Sequence, residues 1–334
     1  MQENSIDCIL TDPPYGLSFM GKKWDKGIPN YEYWEQAYRV CKPGAIMLAF
    51  GGTRTYHHLA CFIEGVGWQI RDCLMWLYGS GFPKSHNHFG FEGYGTALKP
   101  AYEPILLCMK PLDGTFAQNA EKWGVAGLNI DECRISTTDK LQGSGNRNGL
   151  FEGGFSSSPP NFSNLGRWPS NLLLDEEAAA MLDAQSGNLG KSRGTQTGKN
   201  GSIFNYPQRE YKEIGHNDSG GASRFFYCAK ASASERNKGC EGMPIIESKR
   251  TQDGGNDTRG RPIPRNQNHH PTVKPTKLLE YLLMLIMPPS QDAVVLDPFM
   301  GSGSTLVAAK NLGFNALGIE IEEEYCEIAR NRLK

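Results

Sequence analysis

No paired cysteine motif, long apolar run, strong charge imbalance or internal repeat marks this sequence. The nine cysteines are odd in number, and none stands in a CxxC spacing or pairs with histidine at zinc-ligand spacing. A disulfide framework is therefore not expected, nor is any metal site, and a reducing, cytoplasmic setting fits best. The longest apolar run, LLEYLLMLIM (278–287), is too short to span a bilayer and carries Glu280. Met1 is followed by polar residues, so neither a signal peptide nor a membrane partner is expected. A net charge of −1 excludes a chain that is basic throughout. It does not exclude local bias. From Lys191 to Lys277, lysine and arginine outnumber aspartate and glutamate roughly two to one, which suits a phosphate-contacting surface and a solvated loop face equally well.

With 334 residues, 39% of them hydrophobic, the chain can build one large domain carrying a sizeable insertion. Asp7–Thr11 reads as a buried strand stopped by Asp12-Pro13-Pro14. A helix is predicted over Tyr31–Cys41, a strand over Ala45–Phe50 closed by Gly51-Gly52, and a helix over Tyr56–Glu64. Further strands are predicted over Asp72–Tyr78 and Pro104–Met109. After Pro111 the pattern dissolves into Gly-, Asn- and Ser-rich text, with ordered islands expected at 167–183 and 224–230. Regularity returns with a helix from Thr276 to Met287, a strand Ala293–Leu296, a glycine turn, a helix to Leu312, a strand Ala316–Ile319 and a last helix from Glu323. The alternation predicts an α/β fold with a doubly wound, mostly parallel Rossmann-like sheet. Residues 1–112 and 269–334 form its two halves, and 113–268 are an inserted, loop-rich region.

The C-terminal unit, VVLDPFMGSGSTLVAAKNLGFNALGIE (294–320), reads strand, glycine loop, helix, strand, acid. Glycines at a strand-to-helix turn let a ligand approach the backbone, and the helix N-terminus favours an anionic group. Glu320 stands about twenty residues on, where an acid can bind both hydroxyls of a ribose. A dinucleotide and S-adenosylmethionine both answer that description. The dinucleotide fingerprint wants a third small residue where this chain has Leu306, so S-adenosylmethionine is the better match. A glycine turn with no ligand is the plainer alternative.

The second motif is Asp12-Pro13-Pro14-Tyr15 at the end of the first strand. An exocyclic amino group of adenine or cytosine is a poor nucleophile, because its lone pair is delocalised into the ring. Two acceptors aimed at its two N–H bonds localise that pair. The Asp12 carboxylate can be one acceptor and the Pro13 carbonyl, held by proline rigidity, the other. Tyr15 offers a π-face to an extruded base. A ring-carbon methylase would need a nucleophilic cysteine, usually after proline, and the chain has no Pro-Cys pair.

Three motifs in this order, TDPPYG (11–16), HPTVKP (270–275) and LDPFMGSGST (296–305), resemble the beta-class amino-methyltransferases of DNA, with YGLSFMGKKWD (15–25), YEPILLCMKP (102–111) and SRFFYCAK (223–230) suggesting the phage or prophage branch. The resemblance implies a circularly permuted methyltransferase sheet and S-adenosylmethionine as cofactor. It implies that Asp12, Pro13, Pro14 and Tyr15 are catalytic. It assigns the cofactor to Thr272 and Lys274 and to Asp297, Pro298, Phe299, Gly301, Gly303 and Ser304, with Glu320 on the ribose. The 113–268 region would recognise the target in double-stranded DNA; a second copy of the chain and a cognate restriction enzyme are further candidate partners. Asp in the tetrapeptide favours adenine N6 over cytosine N4, where Ser is commoner. RNA or a protein glutamine would go with Asn at position 12. A catalytically inactive nucleic-acid-binding homologue is the alternative from another class. The family also has a strand about twenty residues ahead of the catalytic motif, so one edge strand is expected to be missing, through truncation or a misassigned start.

Overall fold

The computed structural model describes residues 1–17, 23–81, 85, 90–137, 166–190, 192–194, 214–216, 219–229, 237–244, 267–270 and 272–334. Eight strands form one sheet in the order β10-β9-β1-β2-β4-β3-β5-β8. These are β1 (Ile6–Thr11), β2 (Cys41–Phe50), β3 (Gln69–Leu77), β4 (Tyr102–Met109), β5 (Leu172–Asp175), β8 (Tyr227–Ala229), β9 (Val294–Asp297) and β10 (Asn315–Gly318). A separate small ribbon pairs β6 (Ser192–Gly194) with β7 (Ile214–His216). All pairings in the large sheet are parallel except those of β4, which runs antiparallel to β2 and β3.

The central strands are apolar because they are covered on both faces. Every residue of β1 is buried. On one face α5 (Thr276–Ile286) and α6 (Ser304–Leu312) bring Leu278, Leu282 and Ala308 against Leu10, Leu48 and Val295. On the other, α1 (Tyr31–Val40) and α2 (Tyr56–Gly65) bring Trp34, Ala37, Leu59 and Ile63 against Ile9, Met47 and Leu296. Helix α1 starts where the Asn30 side chain accepts from the Glu32 amide, and its buried Trp34, Ala37 and Val40 lie on one stripe. The C-terminal α7 (Glu323–Arg332) seals a small cluster through Tyr325 and Ile328. Among the described residues no helix is long and apolar enough to cross a membrane.

Three features differ from the sequence reading. Strand β2 begins at Cys41, which pairs with Ile6, and continues beyond a register shift around Gly44, whose φ of +79° accommodates the irregularity. Order also continues past Pro111: α3 (Phe116–Trp123) is fixed by a Thr115/Gln118 capping box and a left-handed Gly124. That signature was outweighed by the polar composition around it. Finally, β5 and β8 come from the 113–268 region yet extend the large sheet, with α4 (Glu176–Ser186) between them. The islands at 167–183 and 224–230 thus anchor that region to the sheet edge. At the opposite edge stands β10, with Leu317 40% exposed and no described strand beyond it.

Segments far apart in the sequence pair side by side near the β10 edge. Strand β1 pairs with β9 through Cys8↔Val295 and Ile9↔Leu296. Buried Asp7 accepts the Val294 amide at 2.9 Å and pairs with Lys42 at 2.5 Å. At the other end of the strand, the Thr11 hydroxyl donates to Asp297 Oδ1 at 2.7 Å. Replacing Thr11 by valine keeps shape and removes that donor from a buried carboxylate. The expected loss is about 1–3 kcal/mol of stability, measured by urea unfolding at pH 7 with the m-value unchanged. A midpoint equal to wild type would show that the bond contributes nothing.

Candidate active site

From β9 the chain proceeds outward to β10; from β1 it proceeds the other way to β2. The gap between β9 and β1 is therefore a topological switch point, where loops from the carboxyl ends of the strands diverge and leave a crevice. Residues 12–15 follow β1 and 298–303 follow β9, so both loops border this crevice. The cavity there measures about 1,430 Å³ and is lined from Asp12–Tyr15 through Asp297–Ser302 to Glu320. Single-ligand pockets occupy roughly 300–1,000 Å³, so this one has room for a cofactor and a nucleobase together.

The glycine turn is a built cradle. Gly301 and Gly303 have φ of +51° and +76°. A Cβ on Gly301 would lie 2.6 Å from His270 Nε2, and one on Gly303 would lie 2.8 Å from Ala329 Cβ. Helix α6 begins just after Gly303 with no side-chain cap, leaving its first-turn amides for a ligand. Glu320 closes over the turn from the end of β10. Its Oε2 accepts the Gly301 amide and its Oε1 accepts those of Ile321 and Glu322, each at 2.9 Å. The carboxylate is thus held in orientation at the cavity wall. A glycine cradle, uncapped helix amides and a fixed acid fit the carboxylate and ribose of S-adenosylmethionine.

Asp297 is fully enclosed; burial pushes its pKa up to about 6, against the hydrogen bonds from Thr305, Thr11 and the Phe299 amide. Pro298 lines the cavity beside it. The Phe299 ring packs against Tyr33 and Trp34 at 5.7 and 6.1 Å between centroids. Ser304 also lines the cavity, but its hydroxyl accepts from Arg332 at 3.0 Å. Arg332 binds the Ser302 carbonyl at 2.7 Å as well, so this buried guanidinium braces the turn from behind. Thr272 is exposed and lines the cavity, its amide donating to His270 Nδ1 at 3.4 Å.

Lys274 stands apart from the other residues assigned to the cofactor. Its ammonium lies 2.5 Å from Asp12 Oδ2 and 3.3 Å from Glu103 Oε2. The Phe50 and Tyr15 rings flank it at 4.9 and 5.5 Å. Burial alone would lower its pKa; the Asp12 and Glu103 carboxylates outweigh burial and push it up to about 12, so it stays an ammonium. The Tyr15 hydroxyl donates to Asp12 Oδ1 at 2.7 Å. Burial, then the adjacent Asp12 and Glu103, push that phenol well above its ordinary range, so it remains a donor at neutral pH. Pro13 is buried and Pro14 half-buried between these groups.

Three functional candidates lie in segments that carry the family resemblance but were given no role from the sequence. Glu103 sits near the start of β4, a carboxylate in an apolar strand. Asp25 is 2% exposed and accepts the Gly16 amide at 2.9 Å, bracing the loop after Tyr15. Trp24 stacks on His270 at 6.1 Å and 14° and walls the glycine turn.

Compared with known proteins, the chain is 23% identical over 352 residues to the type II methyltransferase M.HpaI of Haemophilus parainfluenzae, covering 100% of this chain and 69% of that protein. It is 48% identical over 65 residues to M2.DpnII of Streptococcus pneumoniae, a match spanning 20% of this chain and 24% of that one. The solved structure of M1.HpyAVI overlays 99% of this chain and 88% of its own with a TM-score of 0.41 at 18% identity. The N6/N4 DNA methylase family model matches residues 6–331, so the chain belongs to that family and is a DNA methyltransferase.

Proposed function

We propose that the protein transfers a methyl group to the exocyclic amino nitrogen of a base flipped out of double-stranded DNA, adenine N6 being the favoured target. The observation that carries this reading is the single cavity shared by Asp12–Tyr15 and, from the glycine turn, Gly301 and Ser302. S-adenosylmethionine, when bound, supplies an electrophilic methyl group on a sulfonium. Gly301, Gly303 and the first turn of α6 hold its methionine end, and Glu320 its ribose. Asp12 and the Pro13 carbonyl accept the two N–H bonds of the base, localise the nitrogen lone pair and point it at the methyl group. Asp12 then takes the proton that the methylated nitrogen releases. Tyr15 fixes Asp12 through its hydroxyl and lines the base pocket with its ring. Asp rather than Ser at position 12 is what favours adenine over cytosine.

The 113–268 region is the proposed recognition surface. There Arg167 and Arg224 lie 4.7 and 4.3 Å over the Phe225 ring, and Trp168, 61% exposed, is backed by Arg134, whose largely buried side chain pairs with Asp131. Arginines stacked on exposed aromatics suit phosphates and bases. Leu98, 92% exposed on the cavity wall, is placed to touch the duplex beside the extruded base. Nine cysteines without a disulfide suit a reducing cytoplasm. The type II names of the relatives favour a restriction enzyme of the same specificity as a companion.

Digesting DNA from cells that express the protein and separating the nucleosides should show N6-methyladenine; N4-methylcytosine alone would overturn the base assignment. Asp12→Ala should lower kcat by about 10²–10³-fold while the cofactor Kd changes by less than about threefold. Turnover at the wild-type rate would remove Asp12 from its role. Glu320→Ala should weaken cofactor binding at least tenfold, or about 1.4 kcal/mol by calorimetry; an unchanged Kd would exclude the ribose contact. Arg167→Ala should weaken DNA binding across sequences and lower the slope of log K against log salt by about 1, and an unchanged slope would exclude a phosphate contact.

A further inference from the structure

Each oxygen of the Asp12 carboxylate carries one donor as the cavity stands. Its Oδ1 accepts from Tyr15 at 2.7 Å and its Oδ2 from Lys274 at 2.5 Å. The amino group of a base brings only neutral N–H donors, and a neutral donor does not displace an ammonium from a carboxylate, because the charge-assisted bond is roughly twice as strong. The ammonium also draws charge from the acceptor that must localise the nitrogen lone pair. Oδ2 keeps a second lone pair, but the base meets a full-strength acceptor only when Lys274 leaves that oxygen.

A second carboxylate stands ready to take it. Glu103 Oε2 lies 3.3 Å from Lys274 Nζ and 3.3 Å from the Tyr15 hydroxyl. Asp12 and Glu103 are 22% and 23% exposed, Lys274 between them only 8%, and all three line the same cavity, so the exchange happens inside it. Closing the Glu103 contact to ordinary ion-pair length takes about half an ångström. Glu103 is on β4, the antiparallel strand, and Lys274 is just ahead of α5, so neither is carried by the loop that bears Asp12.

We infer that Glu103 is a positioning residue for the transfer reaction: it holds Lys274 while the base occupies Asp12 Oδ2, and returns it when the product leaves. Between turnovers Lys274 stands in for the amino group, neutralising a partly buried carboxylate whose other partner is the uncharged Tyr15 hydroxyl. The inference rests on the proposed role of Asp12.

The test is a double-mutant cycle of Glu103→Gln and Lys274→Met in the full chain, with Glu103→Asp as the conservative variant. Glutamine keeps the shape of Glu103 and removes the charge that holds the ammonium. Glu103→Gln should lower kcat about 10–100-fold with cofactor Kd and melting temperature close to wild type, and Glu103→Asp should recover most of the rate. Without cofactor, Glu103→Gln should also bind a duplex with an unpaired target base about tenfold more weakly. Both effects should vanish in the Lys274→Met background, where there is no ammonium to hold. Additive losses, or a Glu103→Gln enzyme with wild-type kcat and DNA affinity, would overturn the exchange. If the wild-type protein methylates nothing, the proposed function fails instead, and the two failures are told apart by that control.

Discussion

The molecule depends on one parallel pairing between strands from opposite ends of the chain. β1 and β9 lie side by side, clamped at one end by Asp7 on the Val294 amide and at the other by Thr11 on Asp297. Parallel neighbours end at the same edge of a sheet. The loop proposed to accept the base and the loop proposed to cradle the cofactor therefore emerge next to each other, although their motifs are separated by most of the sequence. The permuted motif order makes no difference to the chemistry, because strand adjacency and not chain order sets the distance between the loops.

The electrostatics of the crevice follow from its burial. Asp297 is held beside Asp12 with its pKa raised to about 6 by enclosure, and Thr11 and two further donors oppose that rise. On the other side of Asp12, a lysine kept charged by two carboxylates against its burial and a tyrosine kept protonated by burial and then by the same two form a compact network. Buried charges are tolerated only when paired and hydrogen-bonded. The cavity satisfies that condition with its own side chains.

Much of this was legible in the residues. The Asp-Pro-Pro-Tyr turn, the glycine turn and Glu320 are local motifs, and each is where its spacing implied. Their chemistry depends on residues close in sequence. Helix α3 was equally legible through its capping box and was obscured by composition. Lys274 and Glu103 were not legible in this way. A lysine in HPTVKP reads as a cofactor contact by association with its neighbours, yet its long side chain reaches the other motif. Glu103 looks like an ordinary acid at the start of an apolar strand. Nor did composition show that β5 and β8 extend the sheet, since three- and four-residue strands are too short for periodicity to register.

The sequence by itself determined the class of chemistry, because an amino-group acceptor and a glycine cradle are each built from a few contiguous residues. Tertiary structure decided which charged groups face the reacting atoms. Strand order and the direction of β4 bring Glu103, Lys274 and Asp12 together from three distant segments. Contacts of that kind depend on how the sheet is wound, and no local pattern encodes them.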